Sequence, residues 1–575
     1  MTEQELAPPL DCLIVGYNDV DFRRRMENLK VSRLTSAGFN ALHLQSLPVN
    51  GQRLTYMEVL NEALKIATDR DYALHIGDLP SLGAWYLRNF LAKNGYRADV
   101  INLFNKDKER LSRLLKHEPP LAVAITTTFY IDDAPIREVV DFVKSHSPET
   151  KLIVGGPHVF NRFQEIENKQ VLKYVLASMG ADVFIYDSQG ELTLARVLSH
   201  LKGDSSAETL FSVPKSGKHE TNSQEVFGAD ARVKTCTLHE IPNIAFFEDG
   251  ELVTTSRSIE SNDMDLYSVD WDLVETKHFV PTATTRTARS CAFSCAFCRY
   301  PVIAGPLNLK SIEAVITQFD QFQRHGVRQV IIIDDTFNVP LSRFKELCRA
   351  VASHRYDFEW YSYLRPANLD AEALDLIAES GCGGCFLGIE SGDSGILKAM
   401  NKAVTVERYV HGVQELNARG VTTFASLIVG YPGETRASVD NTIAFVEEAQ
   451  PTYWRAGLYF HPKDAPVSRM SEEYGITGFG YSWSHSSMTW QQGLAEIHRM
   501  MTTVRNSTYL PGYNFDIWGL PYLVGKGISK AQHLAFNRMA QALMIDELNG
   551  DPIDDGIVLQ RFASLFREDE CRSTT

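Results

Sequence analysis

Three cysteines, Cys291, Cys295 and Cys298, fall in the run Arg-Ser-Cys-Ala-Phe-Ser-Cys-Ala-Phe-Cys-Arg-Tyr-Pro at 289–301. Their C-x3-C-x2-C spacing lets three thiolates converge on one small inorganic group, and iron–sulfur clusters are held by Cys thiolates. Three is the telling number. A structural zinc site takes four ligands, whereas a four-iron cluster held by three Cys keeps one iron open. Three unligated thiols, or a zinc site completed by a His or a distant Cys, are the other readings of the same spacing. Farther along, Ile331-Ile-Ile-Asp-Asp-Thr-Phe-Asn338 ends an apolar run with two carboxylates, Asp334 and Asp335. Arg365 ends Tyr361-Ser-Tyr-Leu-Arg365 and suits a carboxylate partner. Cys382 and Cys385 form a C-x2-C on a Gly-rich lead-in and read as buried small residues, not ligands.

Upstream, Val154-Gly-Gly-Pro-His158 and Tyr186-Asp-Ser-Gln-Gly-Glu191 each follow an apolar run, and Thr126, Thr127 and Thr128 end a third. Paired glycines at such a place let a bulky ligand approach the backbone, and hydroxyls suit amide and phosphate partners. The Gly-x-Gly-x-x-Gly turn of a dinucleotide site is absent.

The elements that must position these groups are legible as alternation. Apolar runs at 12–16, 73–76, 99–103, 121–126, 152–155 and 183–186 predict strands, and helical periodicity at 85–91 and 136–143 fills the gaps. Near-continuous apolar strands separated by helices predict a doubly wound, Rossmann-like parallel sheet over 1–202. The polar, turn-rich stretch after it predicts a linker region over 203–280. A second βα alternation starts at the Cys motif and predicts a partial barrel over 281–468. The remainder, 469–575, predicts a small, mostly helical domain.

Composition sets the outer limits. The chain has 575 residues, 44% hydrophobic and 22% charged, as expected of a core-forming protein. With 57 Lys plus Arg against 72 Asp plus Glu its net charge is −15, which argues against a nucleic-acid partner. No apolar run is long enough to span a membrane, and the first residues lack the pattern of a secretory signal. Nine Cys without a framework spacing predict a reducing, cytoplasmic setting.

The triad, with Phe297 just before its third Cys, resembles the cluster motif of the radical S-adenosylmethionine (SAM) superfamily. That resemblance implies a [4Fe-4S] cluster on Cys291, Cys295 and Cys298, with SAM chelated to the open iron. It further implies SAM contacts from Phe297, Asp334, Asp335, Arg365, Glu390 and Ser391 of Gly-Ile-Glu-Ser, and Gly430 of Val-Gly-Tyr-Pro-Gly-Glu. The upstream turns resemble the cobalamin-binding domain of cobalamin-dependent radical SAM enzymes. They imply cobalamin contacts from Thr126, Thr127, Thr128, Gly155, Gly156, His158, Gly190 and Glu191. The loop Gly77-Asp-Leu-Pro-Ser-Leu-Gly83 resembles the segment facing the cobalt from below, which adds Pro80, Ser81 and Leu82. No Asp-x-His-x-x-Gly is present, which implies cobalt without a protein His.

Within that class the stretches at 11–22, at the Cys triad and at Trp483-Ser-His-Ser-Ser-Met488 resemble the phosphinate P-methyltransferase-like group. The implied reaction is methylation of an unactivated carbon or phosphinate of a small-molecule or peptide precursor in antibiotic biosynthesis. One SAM serves as methyl donor by way of cobalamin, and a second as radical source. The alternative is a non-methylating rearrangement, cyclisation or ring contraction. A flavodoxin or ferredoxin is the implied electron donor, and Trp483, His485 and Met488 are the candidate acceptor-pocket residues.

Overall fold

Short strands buried on both faces organise the computed structural model, which describes residues 9–567 apart from 20–21, 33–42, 131, 188, 204–236, 262, 513–514 and 516–517. The chain divides into two units, one of residues 1–20 and 80–278, the other of 21–79 and 279–575.

In the first unit, Cys12–Tyr17 (β1), Ala98–Leu103 (β2), Ala122–Thr126 (β3), Lys151–Gly155 (β4) and Val183–Ile185 (β5) pair in parallel, in the order β2-β1-β3-β4-β5. Helices Leu82–Lys93, Phe104–His117, Ala134–His146, Lys169–Met179 and Glu191–Lys202 connect and cover them. Leu13, Val15, Val123, Ile125, Leu152 and Val154 lie in one core cluster with Ile136, Val139 and Val143 of the third of these helices. Such an order has its topological switch between β1 and β3, where ligands of doubly wound sheets bind.

Three expectations change here. The run at 73–76 is not a strand but leads into a short 3-10 turn, Ile76–Asp78. The region expected as linker contributes two strands, Ile244–Glu248 (β6) and Glu251–Thr254 (β7), added antiparallel to the sheet edge. Its stretch at 204–236 lies outside the described residues. The boundary at 202 also fails to follow the units, because residues 21–79 belong with the second one.

In the second unit, Thr282–Thr285 (β8), Gln329–Ile332 (β9), Glu359–Leu364 (β10), Cys382–Glu390 (β11), Thr422–Val429 (β12), Tyr453–Leu458 (β13) and Thr508–Tyr509 (β14) form one parallel sheet in chain order. Helices Ile312–Arg324, Leu341–His354, Ala371–Glu379, Val406–Ala418 and Arg436–Ala449 alternate with the strands. This is the expected partial barrel, and its carboxyl edge is where such barrels carry chemistry. Beyond it come a small antiparallel sheet, Thr477–Phe479 with Ser482–His485 and Met488–Thr489, and the helices Trp490–Thr503, Gly519–Gly525, Lys530–Asn549 and Asp555–Ala563.

Candidate functional site

The loop after β8 carries the three cysteines at the carboxyl edge of the second sheet. Its entry is fixed by Asp334, fully buried, which accepts from Thr287 N at 2.7 Å, Thr287 Oγ1 at 2.5 Å and Ala288 N at 3.0 Å. Ser290, in a left-handed conformation, donates to Gly305 O. Cys298 N donates to Cys295 O at 3.1 Å, and Cys291 Sγ lies 3.4 Å from Thr336 Oγ1. All three thiols are half-buried and unpaired. Partial burial raises the pKa of Cys295 and Cys298, while Lys402 and Arg365 pull that of Cys295 down. Among the described residues, no three His, Cys, Asp or Glu side chains close on one metal-ion position.

Two buried cations back this loop. Arg365 caps β10, with its backbone locked to Asn338 through Asn338 Nδ2→Arg365 O and Arg365 N→Asn338 Oδ1, both 2.9 Å. Its guanidinium lies 3.9 Å from the centre of the Phe293 ring, inside the Cys loop. Its Nε is buried with no partner among the described residues. A buried donor left open in this way fits an anionic ligand. The second cation is Lys402, which donates to Gly388 O at 2.7 Å and pairs with Glu390 at 3.3 Å. Burial opposes its charge, but Glu390, with Tyr409 and Cys295, outweighs that and leaves its pKa raised.

The acids and small residues of the sequence reading separate here. Asp335 is exposed at the same edge, its carboxyl pushed up to about 6 by surrounding protein, opposed by Arg286 and reinforced by Asp334. Asp334 has its oxygens spent on Thr287 and Ala288, so it anchors the Cys loop and does not face a SAM ammonium group. Ser391 is likewise fully buried: its hydroxyl meets Thr442 Oγ1 at 3.3 Å and accepts from Asp393 N at 3.1 Å. Gly430 is required by φ +91° and by Trp483, whose ring atoms stand 2.3 Å from where a Cβ would be. Glu434 accepts from Gly430 N and is pushed up to about 8, mainly by burial. Phe297 and Trp483 join one apolar cluster with Met400, Tyr431 and Tyr459.

The residues expected to line the acceptor pocket lie next to this cluster. Trp483 is buried, donates from Nε1 to Tyr459 O at 2.7 Å and stacks on His485. His485 Nε2 lies 3.3 Å from Gly430 O, and Met488 is buried beside Gly493. Cys382 and Cys385 are buried at the start of β11, with the Cys382 thiol pushed well up by burial, as expected of inert thiols.

In the first unit, Ser81, Thr126–Thr128, Gly155–Gly156 and Gly190–Glu191 all fall at the carboxyl edge of the sheet. Thr126 Oγ1 and Thr128 Oγ1 lie 3.2 Å apart, and a Cβ on Gly83 would stand 3.4 Å from the latter. Thr128 and Phe129 are exposed there. The helix starting at Leu82 has no side-chain cap on Ser81, so its first turn is the one of the three helix starts at this edge suited to receive a polar ligand group; the first turns at Pro157 and Glu191 are taken by Thr127 and Glu260. This cradle fits a large polar cofactor.

Other residues of the set are used internally. Thr127 Oγ1 donates to Gly155 O at 2.9 Å and accepts from His158 N at 3.2 Å. His158, buried, reaches Asp133 at 2.6 Å, and Ser81 N donates to Asn102 Oδ1 at 2.8 Å. A Cβ on Gly156 would stand 2.9 Å from Thr127 Oγ1, and one on Gly155 3.2 Å from Ile185 Cβ. The glycines are thus needed for strand and turn contacts within the protein. Pro80 and Leu82 flank Ser81 at the start of the first helix.

Residues 285–446 match the Radical SAM superfamily, and residues 76–185 match a B12 binding domain. These matches decide the cofactor class. The chain carries an N-terminal B12-binding domain followed by a radical SAM domain, and its cofactors are a [4Fe-4S] cluster, SAM and cobalamin. An uncharacterized methyltransferase of Pyrococcus horikoshii is 24% identical over 380 residues, 65% of this chain and 74% of its own length. An anaerobic magnesium-protoporphyrin IX monomethyl ester cyclase of Cereibacter sphaeroides is 21% identical over 67% of this chain and 60% of its own. The radical SAM methyltransferase TsrM from Kitasatospora setae superposes with a TM-score of 0.58 at 13% identity, covering 83% of this chain and 97% of that one. The cobalamin-dependent radical SAM enzyme OxsB superposes with a TM-score of 0.55 at 14% identity, covering 97% of this chain and 75% of that one. At such identities the structures speak for the fold.

Proposed function

We propose that the protein is a cobalamin-dependent radical SAM methyltransferase of the phosphinate P-methyltransferase-like group. It methylates an unactivated carbon or a phosphinate of a small-molecule or peptide natural-product precursor, in the cytoplasm, with a flavodoxin or ferredoxin as electron donor. The observation that carries this reading is the Cys291–Cys295–Cys298 loop backed by Arg365 and Lys402, in a chain that also holds the β2-β1-β3-β4-β5 sheet with its open carboxyl-edge cradle. When bound, the cluster with SAM supplies a carbon-centred radical, and cobalamin supplies a transferable methyl group. The protein's own part is placement. Asp334 holds the Cys loop at its entry, Arg365 offers an open Nε to an anionic group, and Asp335 offers a carboxylate to an ammonium group. The apolar wall of Phe297, Tyr431 and Tyr459 keeps water from one side of the site.

A second reading, cyclisation or rearrangement without methyl transfer, draws on the cyclase named among the relatives. Product stoichiometry separates the two. With the acceptor in hand, each methylated product should appear with one S-adenosylhomocysteine and one 5′-deoxyadenosine. Deoxyadenosine alone would favour the second reading, and homocysteine-type product alone would remove the radical half of the first.

A further inference from the structure

We propose that the turn Met400–Asn401–Lys402 braces the Cys loop and that Lys402 is the counter-charge of the group the loop holds, a positioning residue that the sequence reading missed. The inference rests on the assignment of Cys291, Cys295 and Cys298 as cluster ligands.

The turn follows the short helix Ser394–Ala399 and touches the Cys loop twice through its backbone and side chains. Ala296 N donates to Met400 O at 2.9 Å, and Asn401 Nδ2 donates to Ser294 O at 2.9 Å and to Ser294 Oγ at 3.2 Å. Both contacts fall on the three residues around Cys295. Val467 N also donates to Ala296 O at 2.9 Å, so that residue is held from two sides. Lys402 then points inward, 5% exposed, with Nζ 5.9 Å from the centre of the Phe297 ring. It is held there by Gly388 O and Glu390.

The backbone is bent to make this placement. Asn401, Ala403 and Glu390 all adopt left-handed conformations, with φ of 56°, 50° and 68°. The β11–β12 register shifts between Gly388 and Glu390. Three non-glycine residues in that region around one lysine form the kind of strain that persists only where the surroundings over-determine it, often at functional sites. A lysine that merely neutralised Glu390 would need neither the bent turn nor the contacts to Ser294 and Ala296. Its position matters for charge, because a thiolate-held cluster is anionic and gains a further negative charge on reduction. A buried cation nearby stabilises the reduced form more than the oxidised one.

The test uses the full chain, reconstituted anaerobically with iron and sulfide and reduced by dithionite. Potentiometry followed by electron paramagnetic resonance should give Glu390→Gln a less negative cluster potential than the parent, and Lys402→Met a more negative one. The pair Lys402→Met/Glu390→Gln leaves no buried lone carboxylate. It should fold if Lys402→Met alone does not, and should still fall below the parent, because Lys402 Nζ approaches the Phe297 ring of the Cys loop. Asn401→Ala should lose iron to a chelator several-fold faster at unchanged thermal stability. Potentials unchanged in every Lys402 variant, or unchanged chelator kinetics in Asn401→Ala, would overturn the proposal. A parent chain that takes up no cluster would instead overturn the ligand assignment beneath it.

Discussion

Asp334 and Asp335 are neighbours of the same type, yet one is buried under three donors and the other stands open at the carboxyl edge. Sequence alone cannot tell them apart, because the difference lies in which way a strand end turns. The cysteines are the opposite case. Their spacing is local, so their convergence was readable before any fold was known. Ser391 and Thr127 were assigned to ligands by motif, but their hydroxyls are spent on Thr442 and Asp393, and on Gly155 and His158. Lys402 gave no local signal, since it becomes a site residue only when a turn more than a hundred positions after the triad returns to it. The ligand role of the triad is directly testable. Replacing Cys291, Cys295 and Cys298 with Ala should abolish the brown absorbance, about four irons per chain and all SAM cleavage. Cobalamin binding should persist, because the B12-matched residues from 80 onward fold in a separate unit. Retention of the iron by the triple variant would refute the assignment.

At the scale of elements, alternation predicted both parallel sheets but not the pair β6 and β7, because the linker expected from the polar stretch after residue 202 was extended to 280, over the apolar run at 244–247. That pair leads into a device no motif announced. Glu260 is buried against the first turn of the helix Glu191–Lys202, accepting from Leu192 N at 2.9 Å, Thr193 N at 2.8 Å and Thr193 Oγ1 at 2.5 Å. It fills the capping role that Gly190 lacks. Burial, reinforced by Glu191 and opposed by the Thr193 and Leu192 donors, pushes its carboxyl from 4.5 up to about 7. The native state therefore binds more protons than the unfolded chain between those values. Its contribution is fully present below pH 4.5 and is lost as pH rises through 7. Glu260→Gln keeps an acceptor but not the charge, so its melting temperature should gain on the parent from pH 4.5 to 7. The gain corresponds to on the order of 3 kcal/mol, and should level off above that window. A difference that stays flat with pH would show that the carboxylate is not desolvated as placed.

For the whole molecule, the chain does not keep its domains in sequence order. After β1 it contributes residues 21–79 to the barrel unit before returning at residue 80. The expected single block over 1–202 missed this, because an amphipathic helix such as Tyr56–Thr68 reads the same whichever core it joins. Within the second unit that helix, with its Thr55–Glu58 capping box, buries Tyr56, Met57, Val59, Leu60 and Leu64. Tyr56 meets Phe515 and Phe536, and the helix lies along Asp555–Ala563. Arg53, in the hairpin of Ser46–Val49 and Gln52–Thr55 that precedes this helix, grips Glu547 at 2.5 and 3.3 Å, with His43 Nε2 at 3.3 Å. Despite partial burial, these two partners hold the Glu547 carboxyl down to about 2. Arg53→Ala and Glu547→Ala should each lower stability by about 1–3 kcal/mol. The double variant should fall well short of their sum, since both remove one interaction. The same architecture makes a fragment of 279–575 incomplete. Each large apolar side chain it loses from the 56–68 helix contributes roughly 1.5–3 kcal/mol, a large fraction of any domain's margin. The fragment should aggregate or melt without a cooperative transition, whereas the same fragment supplied with residues 43–79 on a separate chain should recover one. A cooperative transition in the unsupplemented fragment would mean that the 21–79 segment is an appendage and not part of the barrel's core.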